Sequence, residues 1–224
     1  FGVYLVTDKE MPVSAMMERA NLALKKTLQL PQHLKKIGVY DEKEHQKLER
    51  EKHLEMRMEQ ALKNGEFVPY LQPKYELTHE TIAGAEALVR WVSPEEGMIF
   101  PGEFIPLFEK NGFIVELDLY MFEQVCKMIE SWHKNGYRII PVSVNMSRGH
   151  FLVPNFFDRY KEILERYDVP KGSIEIELTE SLFLNEISTM TDLVNKIHEV
   201  GLRCSIDDFG SGYSSLNMLK DIKV

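Results

Sequence analysis

The chain has 224 residues, enough for one complete domain or two partial ones. Hydrophobic residues make up 44% and charged residues 28%, which is ordinary for a soluble globular protein, and the net charge of −8 argues against a nucleic-acid polymer as partner. No apolar run reaches the ~20 residues of a membrane span, and no signal-peptide pattern is visible. Cys126 and Cys204 lie far apart without metal-type spacing, so we expect reduced core thiols in a cytoplasmic protein.

The first 40 residues follow a strand, helix, strand pattern. FGVYLV and IGVYD are rich in β-formers, and between them Pro12 can begin a helix that MMERANLALKKTLQL continues. Residues 41–64 are highly charged, lack Gly and Pro, and carry an intermittent apolar stripe. They predict a connecting helix that ends at Asn64-Gly65.

From Glu66 onward, strand and helix patterns alternate. The predicted strands are FVPYLQPKYEL, TIAGAEALVRW, IIPVSVNMS, SIEIELTE and RCSIDDF. The predicted helices are FIPLFEKNG, ELDLYMFEQVCKMIESWHKNG, FFDRYKEILERYD and STMTDLVNKIHEVG. This alternation indicates an α/β fold with a parallel sheet and helices outside it. No helix separates the first two strands, so one of them can run antiparallel. A (β/α) barrel broken off after about five strands is the favoured architecture, and an open doubly wound sheet is the alternative.

Polar residues interrupt the later strands in a single phase. In PVSVNMS, SIEIELTE and RCSIDDF, apolar and polar residues alternate, and side chains two apart on a strand share a face. Each strand therefore presents an apolar face to its helices and a polar face elsewhere. Asn145, Glu177 and Asp207 lie near C-terminal strand ends, where barrel active sites assemble, and Glu86 is in phase with Leu88 and Arg90.

These polar residues predict a metal site. The side chains of Glu86, Asn145, Glu177 and Asp207 are hard oxygen donors that suit Mg²⁺ or Mn²⁺. Asp208 follows directly, so the aspartate pair could reach two ions, with Asp207 bridging them. Two such ions stabilise both the attacking and the leaving oxygen of a phosphodiester. The alternative is that the acids are simply exposed or paired with lysines.

Two nucleotide-enzyme classes are excluded by motif. Asp208-Phe209-Gly210 matches a protein-kinase tripeptide, but the sequence has no HRD motif and no upstream glycine-rich loop with a lysine strand. A GxxxxGK[ST] phosphate-binding loop is also missing. Gly210 and Gly212 allow the backbone after the aspartates to turn sharply beside a ligand.

Several motifs resemble those of EAL-domain cyclic-di-GMP phosphodiesterases. They are YLQPKY (70–75), EALVRW (86–91), FIPLFEKNGFI (104–114), SVNMS (143–147), ELTES (177–181) and DDFGSGYSSL (207–216). The likeness spans residues 66–224 in the family's order and spacing. It implies a modified TIM-like (β/α) barrel with an antiparallel first strand. It also implies Mg²⁺- or Mn²⁺-dependent hydrolysis of cyclic-di-GMP to linear pGpG.

The resemblance also implies residue roles. Metal ligands would be Glu86, Asn145, Glu177, Asp207 and Asp208, of which Glu86, Asp207 and Asp208 would also be catalytic. Glu180 would steady the DDFG loop as a supporting catalytic residue. Gln72, Leu88 and Arg90 would contact the substrate, with the Arg90 guanidinium on a phosphate.

Residues 1–40 resemble the end of a GGDEF (diguanylate cyclase) domain and would form an α+β remnant of it. A linker helix would follow at 41–64, and an incomplete EAL domain at 65–224. The family's DxxKID lysine, which helps to activate water, would lie beyond Val224, so we expect a fragment of a longer GGDEF–EAL protein. Homodimers through the barrel or the linker helix are possible, and upstream regions could anchor the parent to a membrane.

Three functional hypotheses follow. In the first, the parent is an active phosphodiesterase, because each family metal ligand within this stretch is intact. In the second, it is a non-catalytic cyclic-di-GMP receptor that signals through helix 41–64. In the third, the 224-residue stretch is inactive alone, whatever the parent does.

Overall fold

In a computed structural model of the chain, the described residues are 1–28, 37–78, 80–179 and 187–207. They form two compact units, Phe1–Met56 and Arg57–Val224. Within the described ranges, no helix combines the length and the apolar character needed to cross a membrane.

The first unit contains the predicted strand, helix, strand pattern. Strand β1 (Gly2–Val3) pairs in parallel with β2 (Gly38–Val39), and helix α1 (Val13–Leu28) connects them in sequence. The strands pack closely on α1, since a Cβ added at Gly2 would lie 2.0 Å from the Ala20 carbonyl oxygen. The guanidinium of Arg19 lies 5.2 Å from the ring centre of Tyr4 and 5.3 Å from that of Tyr40. Those contacts and a 3.0 Å ion pair to Glu42 hold this small unit together.

Helix α2 (Glu42–Asn64) is the predicted connecting helix. It ends where the sequence indicated, because Gly65 adopts the left-handed conformation with φ +74°. Asp41 caps the start of the helix: its Oδ1 accepts the backbone N–H of Lys43 at 2.8 Å.

The second unit alternates strands and helices, as predicted. Its strands are β3 (Phe67–Glu76), β4 (Thr81–Ser93), β5 (Gly97–Ile99), β6 (Val142–Met146), β7 (Ile174–Thr179) and β8 (Arg203–Asp207). Its helices are α3 (Pro101–Asn111), α4 (Ile114–Lys134), α5 (Phe156–Leu164) and α6 (Ile187–Glu199), with a 3₁₀ helix at Arg148–Leu152. Strand β5 and the 3₁₀ helix were not predicted.

The main sheet has the order β3-β4-β6-β7-β8, with β5 added to β4. Strand β3 pairs with β4 in the antiparallel sense, which confirms the antiparallel start, and β4, β6, β7 and β8 are parallel. Among the described residues, β3 and β8 are the two ends of this path, so the sheet is not closed into a barrel there. The parallel order and the outer helices confirm an α/β fold.

Two apolar clusters stabilise this unit. One side of the parallel strands packs against α4, α5 and α6, and the fully buried members of this core include Phe122, Ile129, Ile176 and Ile197. The second cluster closes the β3–β4 hairpin against α3. It is aromatic, with Phe67, Trp91, Phe104 and Phe108 all completely buried and their ring centres 4.9–6.1 Å apart.

Both cysteines belong to the apolar core, as predicted. Cys126 on α4 and Cys204 on β8 are buried free thiols. Burial raises the pKa of each thiol to about 12, with a smaller contribution from Glu123 at Cys126 and from Glu175 at Cys204.

We therefore predict that neither thiol of the native protein reacts with Ellman's reagent at pH 8. The reactive thiolate would be on the order of 10⁻⁴ of each thiol at that pH. Both thiols should react rapidly in concentrated guanidinium chloride, which provides the control. Rapid reaction of either thiol before unfolding would contradict its burial.

Candidate active site

The polar faces of the parallel strands meet on the side of the sheet opposite the helix-packed core. On β6, β7 and β8, the buried residues Val144, Ile176 and Cys204 alternate with polar neighbours, as the sequence predicted. Strand register sets the height of each polar side chain. Glu86 pairs with Ser143, Asn145 with Glu177, and Thr179 with Asp207.

The oxygen donors consequently lie at three levels along the strands. Glu86 is lowest, Asn145 and Glu177 are two residues higher, and Asp207 is two residues higher again. These offsets describe strand register and not the separation of side-chain atoms, since Asn145 Nδ2 lies 2.9 Å from Glu86 Oε1. Within the described ranges, no three acidic, histidine or cysteine side chains are close enough to hold one metal ion. Asp208 and Glu180 lie outside the described residues, as does the glycine-containing loop that follows the aspartates.

Glu86 and Asn145 are in direct contact. The Asn145 amide Nδ2 donates to Glu86 Oε1 at 2.9 Å. Because the amide donates through nitrogen, it orients the carboxylate and keeps its own oxygen available to a cation. Asn145 is exposed and Glu86 is partly buried, so this pair is accessible from the polar side of the sheet.

Glu177 is the most buried of the predicted donors, with 8% of its side chain exposed. Lys74 on β3 donates a hydrogen bond to Glu177 Oε1, and its Nζ lies 3.8 Å from Glu175. Ser205 donates to Glu175 at 2.9 Å. Burial alone would lower the pKa of Lys74, but the Glu177 hydrogen bond and the charges of Glu177, Glu175 and Glu86 together raise it. Lys74 therefore carries its charge at neutral pH.

Lys74 was not among the predicted site residues. It is two positions from Gln72 on β3 and therefore lies on the same strand face, opposite Gly84 on β4. This shared face could have indicated that Lys74 belongs to the site. The sequence alone did not favour that interpretation, because a lysine on the first strand of a sheet is ordinarily exposed to solvent.

A cavity of about 280 Å³ opens beside Asn145, at the C-terminal or upper ends of the parallel strands. It contains Leu88, Arg90 and Asn145, so three of the predicted residues line one space. The Arg90 Nη1 donates to the Val89 carbonyl oxygen at 2.8 Å, and the guanidinium lies 5.9 Å from the ring centre of Tyr70. Gln72 is exposed and pairs with Glu86 across the β3–β4 ladder. The cavity thus combines an oriented cation with apolar walls.

A buried polar network borders the same cavity and was also missed from the sequence. Asp118 on α4 lines the cavity, and its Oδ2 accepts the backbone N–H of Ser147 at 2.9 Å. The same oxygen lies 3.1 Å from Nε2 of His150, a residue with no exposed surface. The Tyr160 hydroxyl is 3.1 Å from that nitrogen. Burial, followed by the charge of Asp118, raises the pKa of Tyr160 well above its usual range.

This network attaches α4 to the end of β6. Nδ1 of His150 has no hydrogen-bond partner among the described residues, so we assign the ring proton to Nε2, where it meets the carboxylate. Ser147 is two residues beyond Asn145, so Asp118 fixes the backbone that carries this donor. No sequence motif signals the contact, because the three side chains come from separate helical segments.

The fold and the site define an α/β protein in which carboxylate and amide oxygens lie beside a cavity at the upper ends of the parallel strands. A family model described as "EAL domain" matches residues 55–224. The chain therefore belongs to the EAL domain family.

Relatives and solved structures agree with this assignment. The signaling protein YkoW of Bacillus subtilis is 35% identical over 170 residues, 76% of this chain and 21% of its own length. MucR of Pseudomonas aeruginosa, a bifunctional diguanylate cyclase/cyclic di-GMP phosphodiesterase, is 33% identical over 163 residues, 73% of this chain and 24% of its own length. A solved PaMucR phosphodiesterase in complex with c-di-GMP matches with a TM-score of 0.71 and 32% identity, over 77% of this chain and 70% of that one. The chain thus spans less than a quarter of the length of these two relatives.

We predict that Asp118→Ala lowers the free energy of unfolding by about 2–3 kcal/mol, because it removes the acceptor of the Ser147 N–H and leaves the buried His150 Nε2–H only the Tyr160 hydroxyl. Urea unfolding monitored by circular dichroism would measure the change.

The matched control is Asp168→Ala. Asp168 also faces a histidine, His133 at 3.7 Å, but 68% of its side chain is exposed. This variant should lose less than about 1 kcal/mol. Equal losses in the two variants would contradict the role assigned to the buried network.

Proposed function

We propose that this chain supplies the substrate and metal site of a cyclic-di-GMP phosphodiesterase. The observation that carries the proposal is the shared cavity of Leu88, Arg90 and Asn145 at the upper ends of parallel strands. Family membership and the activity named for MucR support it. Hydrolysis would break one P–O bond of the cyclic dinucleotide and add the elements of water, giving linear pGpG.

Arg90 is suited to bind a substrate phosphate. Its guanidinium is oriented by the Val89 carbonyl oxygen and by the ring of Tyr70, so less conformational entropy is lost when a phosphate binds. Planar guanidinium groups match phosphate oxygens in a bidentate manner. Apolar cavity residues such as Leu88 and Leu117 provide a surface for a flat base, and Gln72 would contact the substrate from β3.

The donor chemistry fits Mg²⁺ or Mn²⁺. Glu86, Asn145, Glu177 and Asp207 offer carboxylate and amide oxygens, and Asp208 would complete the set for a second ion. Bound ions would supply Lewis-acid stabilisation of charge on the phosphate. Asn145 already orients the Glu86 carboxylate toward the polar face. Glu180 would support the loop that follows the aspartates.

We also propose a domain division: a GGDEF remnant at 1–40, a linker helix at 41–64, and the first part of an EAL-type barrel at 65–224. The β1–α1–β2 unit supports the first assignment, and the change of compact unit within α2 supports a linker there. The parallel strands β4, β6, β7 and β8, preceded by antiparallel β3, are consistent with the early strands of such a barrel.

We predict that Glu86→Ala reduces metal-dependent hydrolysis of cyclic-di-GMP by about 100-fold or more, since loss of even a supporting ligand contact costs about 10–100-fold. Chromatography of pGpG formation with Mg²⁺, Mn²⁺ or chelator would measure it. The 224-residue chain and any longer protein that contains it should both be assayed.

Glu162→Ala is the matched control, because Glu162 is an exposed glutamate on α5. It should hydrolyse cyclic-di-GMP at the wild-type rate. Near-normal turnover by Glu86→Ala would exclude the assigned site. If the 224-residue chain and the longer protein both bind cyclic-di-GMP tightly and neither hydrolyses it, the result would instead favour a receptor.

A further inference from the structure

Lys74 forms a long-range ion pair across the polar face of the sheet. It lies on β3, whereas its partners Glu175 and Glu177 lie on β7, with β4 and β6 between them in the sheet order. Three inter-strand steps of about 4.8 Å separate β3 from β7, or about 14 Å along the sheet. Because side chains nevertheless meet, the sheet is curved and Lys74 crosses its concave side.

Lys74 approaches the acids from the lower ends of the parallel strands. Its cross-strand partner is Gly84, two residues below Glu86. Lys74 and Glu175 also line a small cavity of about 110 Å³ together with Arg203, the first residue of β8. The larger cavity with Arg90 and Asn145 lies at the opposite ends of the strands. Lys74 therefore contacts the carboxylates without occupying the proposed substrate cavity.

The concave face concentrates negative charge that the chain must neutralise. Glu177 has 8% of its side chain exposed, and Glu175 lies two residues from it on the same face. A buried carboxylate without compensation is costly, and neighbouring carboxylates repel each other. Among the described residues, Lys74 makes the ion pairs of both acids. One lysine thus stabilises two carboxylates that face a common centre.

We propose that Lys74 is a resident cation of this face, which stabilises the folded chain and competes with a divalent cation for Glu177. The inference rests on the metal site of the proposed function. The Lys74 ammonium and a divalent ion would share one carboxylate, so each disfavours the other by charge repulsion. Lys74 consequently lowers the affinity for the metal while it stabilises the chain that binds it.

The opposite role is physically distinct. If Lys74 merely held Glu177 in place for the metal, its loss would weaken metal binding, as loss of an orienting partner usually does. Competition predicts tighter binding. The sign of the change in affinity therefore separates the two roles, and no activity assay is required.

The test is titration of Mn²⁺ by calorimetry into wild type, Lys74→Met, Lys74→Gln and Lys74→Arg, with thermal unfolding measured in chelator. We expect Mn²⁺ to bind Lys74→Met and Lys74→Gln at least tenfold more tightly, and both variants to unfold at lower temperature in chelator. Lys74→Arg retains the charge and should bind Mn²⁺ as wild type does. Lys74→Gln removes the charge but keeps a polar side chain, so it tests the role of the charge if the methionine variant does not fold.

The matched control is Lys134→Met. Lys134 forms a 3.0 Å ion pair with Glu130 on α4, with 62% of its side chain exposed. Its loss should leave Mn²⁺ affinity unchanged. Unchanged or weaker Mn²⁺ binding by Lys74→Gln would overturn the competition, whereas a wild-type protein that binds no Mn²⁺ would instead refute the proposed metal site.

Discussion

The two-residue period of the parallel strands is the constraint on which the rest of this structure depends. In β6, β7 and β8, one set of alternating residues packs against α4, α5 and α6, and the other set is polar. A slip of one residue in β7, for example, would place Glu177 in the apolar core and Ile176 on the polar face. Burial of the apolar set therefore fixes the register, and the register in turn fixes the positions of the donors.

The same constraint creates an electrostatic problem. Strand parity brings Glu86, Glu175, Glu177 and Asp207 to one side of a curved sheet, where their charges repel. The chain offsets part of this cost with its own groups. Asn145 donates to Glu86, Ser205 donates to Glu175, and Lys74 pairs with Glu177. These contacts come from different strands, so charge compensation also ties the strands together.

Much of the fold and part of the site could be predicted because they depend on local patterns. Each long strand and helix of the second unit follows from periodicity, and the donors Glu86, Asn145 and Glu177 follow from parity. Strand β5 is only three residues long, too short to show alternation. Its place was set by pairing with β4, where Ile99 faces Trp91 and is buried beside the aromatic cluster.

The residues missed depend on tertiary geometry. Lys74 meets Glu177 because the sheet curves, and curvature over three strand spacings leaves no trace in the sequence of either strand. The Asp118–His150 contact joins the first turns of α4 to the 3₁₀ helix after β6, which are separated by 32 residues. A buried histidine in a short irregular helix looks like any other polar loop residue until the packing is known.

These two missed contacts act on the same site from opposite ends. Asp118 fixes the backbone after Asn145 at the upper ends of the strands, whereas Lys74 reaches Glu177 from the lower ends. Both contacts are made between residues of the chain itself, so they hold the donors in place before any ligand is bound. Preorganisation of this kind reduces the conformational cost of binding but requires that like charges be held together. An internal cation resolves that conflict, because it stabilises the donors in the folded chain and can be displaced from a shared oxygen by a stronger cation.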